Sequence, residues 1–415
     1  MLVLLLLVAR SMAIWFQAES LQKDPDLYRT IARSLRTGAG YARPDDAGVF
    51  WPTAFRPPLY PVLLAATSLS PEIPARNIAF LHIMIGAASA YAVTRLGRAW
   101  GLGWRADLAA GLLAVDPLLL LQSVQVMTEP LAALLTIFAL IQWAKWRTTP
   151  TRHSAALAGI IAGLAILCRP TFLPWVLAAP TITVIRRWRT IPWAHAVCFL
   201  AAAGITLAPW AVRNRLQFDT WIVTTTHGGY TLLLGNNDSF YDALLPPPTR
   251  APSRVSQDEA TRPWSAEPLQ ATIDDALARN EWNLVRDEKQ LDAELARAAW
   301  HTIRERPAAF VAACVYRVGQ FWSPWGHAVD EESTLRHNAR RLSAVWYTAL
   351  LIVFGWSLWT NRRRIASTAL ADGVVLVLVF TAVHAIYWSN PRMRAPVMPV
   401  VYLIATLPLR PRETP

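Results

Sequence analysis

Apolar residues in this chain come in long runs separated by short polar breaks. A membrane-spanning helix needs about 20 mostly apolar residues, and on that rule the runs predict about ten spans. They lie near residues 2–18, 77–95, 106–124, 127–144, 154–171, 172–185, 193–211, 343–360, 368–388 and 395–409. The fifth and sixth are short and meet at Arg169-Pro170, which predicts a tight hairpin. The first run has no basic flank before it and is interrupted by Arg10, which reads better as a span than as a signal peptide.

Basic residues order these spans. Arg95, Arg98 and Arg105 flank one connection, and Lys145, Arg147 and Arg152 the next. Arg186, Arg187 and Arg189, then Arg362, Arg363 and Arg364, then Arg410 and Arg412 complete the series. The clusters fall on alternate connections, so the positive-inside rule puts them, and both termini, in the cytoplasm. The outer side receives residues 19–76, the turns near Gln125 and Arg169, the segment 212–342 and the turn 389–394. The chain then divides into an N-terminal membrane part (1–211), an outer segment (212–342) and C-terminal spans (343–415).

The outer segment is far longer than a plain connection of about 15 residues. After Pro246-Pro247-Pro248 and a polar linker, Leu284, Leu291, Leu295, Ala299 and Ile303 recur at helical spacing. This predicts a helix from about Glu281 to Arg306, ended by Pro307. Residues 308–325, closing on Phe321-Trp322-Ser323-Pro324-Trp325, read as an interfacial helix.

Composition agrees with this class and removes others. Hydrophobic residues make up 54% and charged residues 16%, with 20 tryptophans. A soluble domain carries about 25% charged residues. The net charge of +12 invites a nucleic-acid reading, but the 40 Lys+Arg include only three lysines, and the arginines are dispersed between apolar runs. That dispersion suits membrane anchoring and phosphate contacts rather than a basic nucleic-acid face. Cys168, Cys198 and Cys314 show neither paired nor zinc-ligand spacing, so no metal or cofactor is expected, although Asp24-Pro25-Asp26 has a D-x-D pattern able to take a divalent ion.

Candidate chemistry collects on the outer side. Arg56, Arg169, Arg392 and Arg394 stand in outer connections against the positive-inside rule. Any one of them reads as a headgroup-snorkelling residue, but four together point to an anion, and guanidinium matches phosphate oxygens in bidentate fashion. The outer carboxylates are Asp24, Asp26 and Glu129. An acidic N-cap and first turn is the better reading of Asp26, and it applies to Glu129 too, with Thr128 as cap. Asp116, before Pro117 in the third span, has Arg10 as a conceivable partner. His227-Gly228-Gly229-Tyr230 reads as a turn, with no chemistry assigned to the histidine.

Taken in order, these residues resemble the GT-C glycosyltransferases of the dolichyl-phosphate-mannose protein mannosyltransferase and lipid A aminoarabinose transferase type. The resemblance runs from Asp24 to Arg394. It rests on Asp24 with Tyr28 and Ala32, Arg56-Pro57-Pro58-Leu59-Tyr60-Pro61 and Thr128-Glu129-Pro130. It continues through Arg169-Pro170, Pro209-Trp210 with Arg213-Asn214, Leu234-Gly235-Asn236-Asn237, and Arg392-Met393-Arg394 with Pro396 and Pro399. The resemblance implies an all-α polytopic membrane enzyme with juxtamembrane helices and a mostly helical outer segment. It implies transfer of a sugar from a polyprenyl-phosphate donor to a hydroxyl of a protein, lipid or glycan acceptor, on the outer face of a bacterial inner membrane. The anomeric centre is inverted, with an aspartate base. Asp24 matches the base position, Pro25 replaces the family's usual Glu, and Asp26 is the alternative. Glu129 matches a second acidic position. Arg56, Tyr60, Arg169, Arg213, Asn214, Asn236, Arg392 and Arg394 are the expected substrate and lipid-phosphate contacts. The rival reading is a transporter or lipid flippase, for which a midplane site and internal repeats are the usual signs.

Overall fold

The computed structural model describes residues 2–186, 192–245, 267–326 and 334–408. Pro246–Pro248, Arg187, Arg189, Arg410 and Arg412 lie outside the described residues. The chain is almost wholly helical. The N-terminal part holds α1 (Leu2–Phe16), α2 (Tyr28–Arg36), α3 (Leu59–Ala66), α4 (Ala75–Ala99), α5 (Arg105–Ala114) and α6 (Pro117–Ser123). It continues with α7 (Glu129–Thr148), α8 (Arg152–Cys168), α9 (Leu173–Arg186) and α10 (Trp193–Phe218). Next follow α11 (Gly228–Gly235), α12 (Asp238–Leu244), α13 (Glu267–Asn280), α14 (Glu288–Glu305) and α15 (Pro307–Trp322). The chain returns through α16 (Thr334–Thr360), α17 (Arg362–Ser367), α18 (Leu370–Ile386) and α19 (Met398–Ala405). A short antiparallel ribbon, β1 (Ala42–Pro44) with β2 (Phe50–Pro52), sits in the first outer connection, pairing Arg43 with Trp51.

Every predicted span is occupied by helix. Among the described residues, three stretches are long and apolar enough to cross a membrane alone: Ala75–Ala99, Trp193–Phe218 and His337–Thr360. The pair α5 and α6, bent by 50°, makes a fourth. The chain is thus a multi-pass membrane protein. That bend departs from the continuous third span expected over 106–124. Pro117 cannot continue the hydrogen-bond ladder, and the Asp116 carboxylate caps the new helix by accepting from Leu119 N–H at 2.7 Å.

The tight hairpin expected at Arg169 is not formed. The 3₁₀ turn Pro170–Phe172 separates α8 from α9; α8 packs along α7 and α10, while α9 packs on α10 and α18. Gly159 and Gly163 allow the close approach of α8 to α10, since a methyl at either would overlap Phe199 or Thr206. Such small-residue spacing lets helix backbones meet in a membrane.

Helix α14 begins at Glu288, seven residues after the expected start. Asn283 Oδ1 accepts from Val285 and Arg286 N–H at 2.9 and 3.0 Å, and Asp287 Oδ2 from Asn283 N–H at 2.8 Å. These local bonds give the backbone a turn in place of a helix. Leu291, Leu295, Ala299 and Ile303 then pack with Leu232 and Leu233 of α11 and Leu269 and Ile273 of α13 into a small outer core. Gly229 sits where α11 crosses α14, and a Cβ there would overlap the Asp292 carbonyl. The Asp292 carboxylate caps α11 from across this contact, accepting from Gly229 N–H at 2.7 Å.

Glu288 joins this unit to the connection between α2 and α3. Its carboxylate is buried and accepts from Ala54 N–H (2.6 Å), Thr53 hydroxyl (2.7 Å), Thr226 hydroxyl (2.9 Å) and Arg43 Nη2 (3.1 Å). Four donors from three places in the chain meet the satisfaction that a buried charge requires.

Candidate active site

The first outer connection supplies two of the carboxylates. Asp24 accepts from Arg29 N–H (3.1 Å), Thr30 N–H (2.8 Å) and the Thr30 hydroxyl (2.9 Å), holding the start of α2. Asp26 faces the other way. Its Oδ1 lies 2.5 Å from Arg56 Nη2, and its carbonyl accepts from Arg56 Nε at 3.1 Å. Pro57 and Pro58 fix the entry to α3 beside this pair. The Arg56 guanidinium also lies 4.4 Å from the Phe55 ring centre and 5.6 Å from that of Tyr28.

Tyr28 meets Tyr60 edge to face, with centroids 5.2 Å apart. The Tyr60 hydroxyl is 2.8 Å from His82 Nε2, and His82 Nδ1 is 2.8 Å from the Ser123 carbonyl. A carbonyl only accepts, so Nδ1 carries the proton and Nε2 accepts from Tyr60. This chain of bonds ties the first outer connection to the last residue of the bent helix α6.

Glu129 opens α7 and is buried. Its Oε1 lies 2.9 Å from Arg169 Nη1 and 3.2 Å from Arg392 Nε. Arg169 also donates to the Thr128 hydroxyl at 3.2 Å, while Oε2 of Glu129 is buried without a hydrogen bond. One carboxylate thus answers two guanidiniums, which leaves a local excess of positive charge. Arg392 keeps 31% of its side chain exposed.

The two groups of charges meet around Tyr28. Burial pushes its hydroxyl up to about 12, and the charges of Arg56, Asp26, Arg169 and Glu129 all act on it. Asp26, Arg56, Tyr28 and Tyr60 thus form one contiguous set, and Glu129, Arg169 and Arg392 a second whose charges reach Tyr28.

The other expected contacts are placed elsewhere. Arg213 donates to the carbonyls of Thr53 (2.8 Å) and Tyr41 (2.5 Å), bracing the ribbon. Asn214 is buried and donates to the Ile222 carbonyl at 2.8 Å. Asn236 is buried between the Ile386 carbonyl (2.9 Å) and the Tyr241 hydroxyl (2.9 Å). Arg394, almost fully buried, donates to the carbonyls of Phe321 (3.1 Å) and Ser323 (2.5 Å) and lies over Tyr347. Asp116 accepts from the hydroxyls of Tyr347 (3.0 Å) and Tyr402 (2.7 Å). Arg10 makes no ion pair with it; its guanidinium lies against Gly86, with Nε and Nη1 unbonded.

Glu288 and Arg43 escaped the sequence reading. A signal was present: Glu288 stands three residues before Leu291, on the apolar face itself, where a charge has to be buried. As for metals, Asp24 and Asp26 turn to different partners, and among the described residues no three His, Cys, Asp or Glu side chains gather as a ligand set. Two cavities lie away from the cluster. One of about 230 Å³ is lined by Trp175, Thr183 and the Arg147–Asp372 pair, and a groove of about 520 Å³ runs beside α16 between Trp325 and Arg341.

The fold has known counterparts. Two structures of the oligosaccharyltransferase of Archaeoglobus fulgidus overlay at a TM-score of 0.51, one tethered to an acceptor peptide containing the NVT sequon and one in complex with zinc and sulfate. They are 17% and 15% identical, over 97% of this chain and 48% of theirs. The chain thus spans about half the length of that enzyme and shares its fold over that part. ArnT from Cupriavidus metallidurans, bound to undecaprenyl phosphate, overlays at 0.41 with 13% identity, over 97% of this chain and 77% of its own. That overlap is too loose to compare individual residues. No family model and no curated protein sequence matches the chain.

Proposed function

We propose that the protein is a membrane glycosyltransferase that moves a sugar from a polyprenyl-phosphate donor to an acceptor hydroxyl. The observation that carries this reading is the pair Arg169 and Arg392 on the single carboxylate of Glu129, in a chain whose fold matches that of an oligosaccharyltransferase. A phosphate leaves readily once its developing charge is held, and preorganised guanidiniums in a low-dielectric site do this without reorganising. Arg392, with its exposed edge, takes the phosphate first; Arg169, fixed by Glu129 and Thr128, holds the field behind it.

The acceptor hydroxyl loses its proton to Asp24. Among the described residues its Oδ1 accepts one bond, the 3.1 Å bond from Arg29 N–H, which leaves a lone pair for that proton. Asp26 neutralises and orients Arg56. The oxygen–C1 bond forms as the C1–phosphate bond breaks, in one displacement that inverts the anomeric centre. The site faces the outer side of a bacterial inner membrane, where the segment 212–342 selects the acceptor. The test is reconstitution of the purified protein with polyprenyl-phosphate sugars, reading release of free polyprenyl phosphate. Flipping of the lipid with no release would mark a flippase and end this reading.

A further inference from the structure

At the end of the bundle away from Glu129, a cavity of about 230 Å³ lies between α7, α9, α17 and α18. Arg147, on its wall, follows Glu129 along α7 by a helical rise of about 27 Å. The hydrocarbon core of a bilayer is about 30 Å thick, so the cavity stands at the headgroup level of the opposite leaflet. Two donors of its lining, Arg147 Nε and Trp175 Nε1, are buried with no hydrogen-bond partner among the described residues. Buried polar atoms are nearly always paired, so orphans on a cavity wall call for an explanation. The indoles of Trp143 and Trp146 are unbonded too, but neither lines the cavity. Trp175 packs on Trp143 with centroids 5.4 Å apart. Trp143 is one turn of α7 before Arg147, so the two orphaned donors stand at depths roughly 6 Å apart. Both are donors, and the missing partner must therefore offer acceptors at two depths.

We propose that this cavity binds one anionic phospholipid of the leaflet away from Glu129, with its phosphodiester on Arg147 Nε and a fatty-ester carbonyl on Trp175 Nε1. The site stands apart from the transfer reaction and does not depend on it. Asp372 pairs with Arg147 and cancels its charge, so Arg147 offers the lipid a directed donor and no net charge. The positive charge comes from Arg362 and Arg363, both exposed and one helical turn before Ala366 and Ser367 of the lining. Arg362 donates to the Trp359 carbonyl at 3.0 Å, and neither arginine has a carboxylate partner among the described residues. Basic pockets between spanning helices are a usual seat for anionic headgroups. Below the headgroup, Ala371, Val375 and Leu378 follow one another on one face of α18. Leu378 and, across the cavity, Ile182 of α9 are exposed and apolar, which provides a track for the acyl chains.

The test titrates the full chain, purified in detergent and stripped of lipid, by native mass spectrometry. The probes are dioleoyl-phosphatidylglycerol, dioleoyl-phosphatidylethanolamine and chain-free glycerophosphoglycerol. One phosphatidylglycerol is expected to bind about tenfold tighter than phosphatidylethanolamine, with no binding of glycerophosphoglycerol at the same concentration. Arg147→Lys keeps the charge opposite Asp372 and removes Nε–H, while Trp175→Phe keeps a ring against Trp143 and removes the indole N–H. Each should weaken phosphatidylglycerol about three- to tenfold, the size of one hydrogen bond. Replacing Arg362 and Arg363 together by Gln should bring phosphatidylglycerol down to the affinity of phosphatidylethanolamine, which itself stays unchanged. Ala371→Leu fills the cavity and should abolish the bound lipid. Melting curves in lipid-free detergent confirm that each variant is folded. Equal affinity of the wild type for the two lipids, glycerophosphoglycerol binding as tightly as the lipid, or wild-type affinity in both Arg147→Lys and Trp175→Phe overturns the proposal.

Discussion

Arg169 Nη1 lies 2.9 Å from Glu129 Oε1, joining the end of α8 to the start of α7. Removing one member of a buried pair strands the other charge. Glu129→Gln strands both Arg169 and Arg392 and should cost on the order of 3–5 kcal/mol of stability, whereas Arg169→Gln leaves Glu129 with Arg392 and should cost less. The double variant should lose clearly less than the sum, because it strands Arg392 alone. Thermal unfolding in detergent of the four members of this cycle measures the coupling. Strict additivity would show that the pair does not interact.

Asp24 and Asp26 separate by substitution. Asn caps a helix about as well as Asp, so Asp24→Asn should keep α2 and the overall stability. Loss of a general base typically lowers rate about 100- to 10,000-fold, and that loss is expected for Asp24→Asn, with donor binding retained. Asp26→Asn should instead weaken donor use by loosening Arg56. If Asp24→Asn turns over normally and Asp26→Asn is dead, the base is Asp26.

Arg392 and Arg394 are two residues apart and should respond differently to lysine. Lysine keeps the charge but lacks the planar fork. Arg392→Lys should raise the donor KM while leaving the melting temperature near wild type. Arg394→Lys loses bonds to the carbonyls of Phe321 and Ser323 and should lower stability, with little change in the KM of the surviving folded protein. A matched pair of melting curves and donor titrations reads both; reversed behaviour would put the phosphate at Arg394.

Arginine supplies the charge in the proposed reaction, so activity is expected to persist after treatment with a chelator. Loss of turnover that manganese or magnesium restores would make Asp24 and Asp26 metal ligands.

Gly229→Ala places a methyl against the Asp292 carbonyl, so α11 must lift from α14. Accelerated hydrogen exchange and proteolysis across α11 and α14 are expected, with α4 and α7 unaffected. An unchanged exchange pattern would show that this crossing is looser than described.

The spans were legible because a membrane helix writes its length into an unbroken apolar run. The arginines and carboxylates of the candidate site were legible for the opposite reason, as charges set between apolar runs. What the sequence withheld is partnership across distance. Asp26 and Arg56 are 30 positions apart, Arg169 and Met393 are 224, and Arg43 and Glu288 are 245. No local period encodes such pairings; they exist only once the spans are packed. The break at Asp116 lies between these cases. Pro117 was visible, but an apolar run can carry a proline through or stop at it, and the tyrosines that receive Asp116 come from α16 and α19.

The bonds around Glu288 also limit how this molecule can diversify. An outer segment whose buried carboxylate is filled by Arg43, Thr53, Ala54 and Thr226 is not an interchangeable cassette. Grafting another outer segment onto this membrane body would strand Arg43 without its counter-charge unless the ribbon Ala42–Pro52 travelled with it. New acceptor preferences are therefore expected to arise by paired replacement at positions 43 and 288, or on the surface of α13 and α14, and not by exchange of the whole insert.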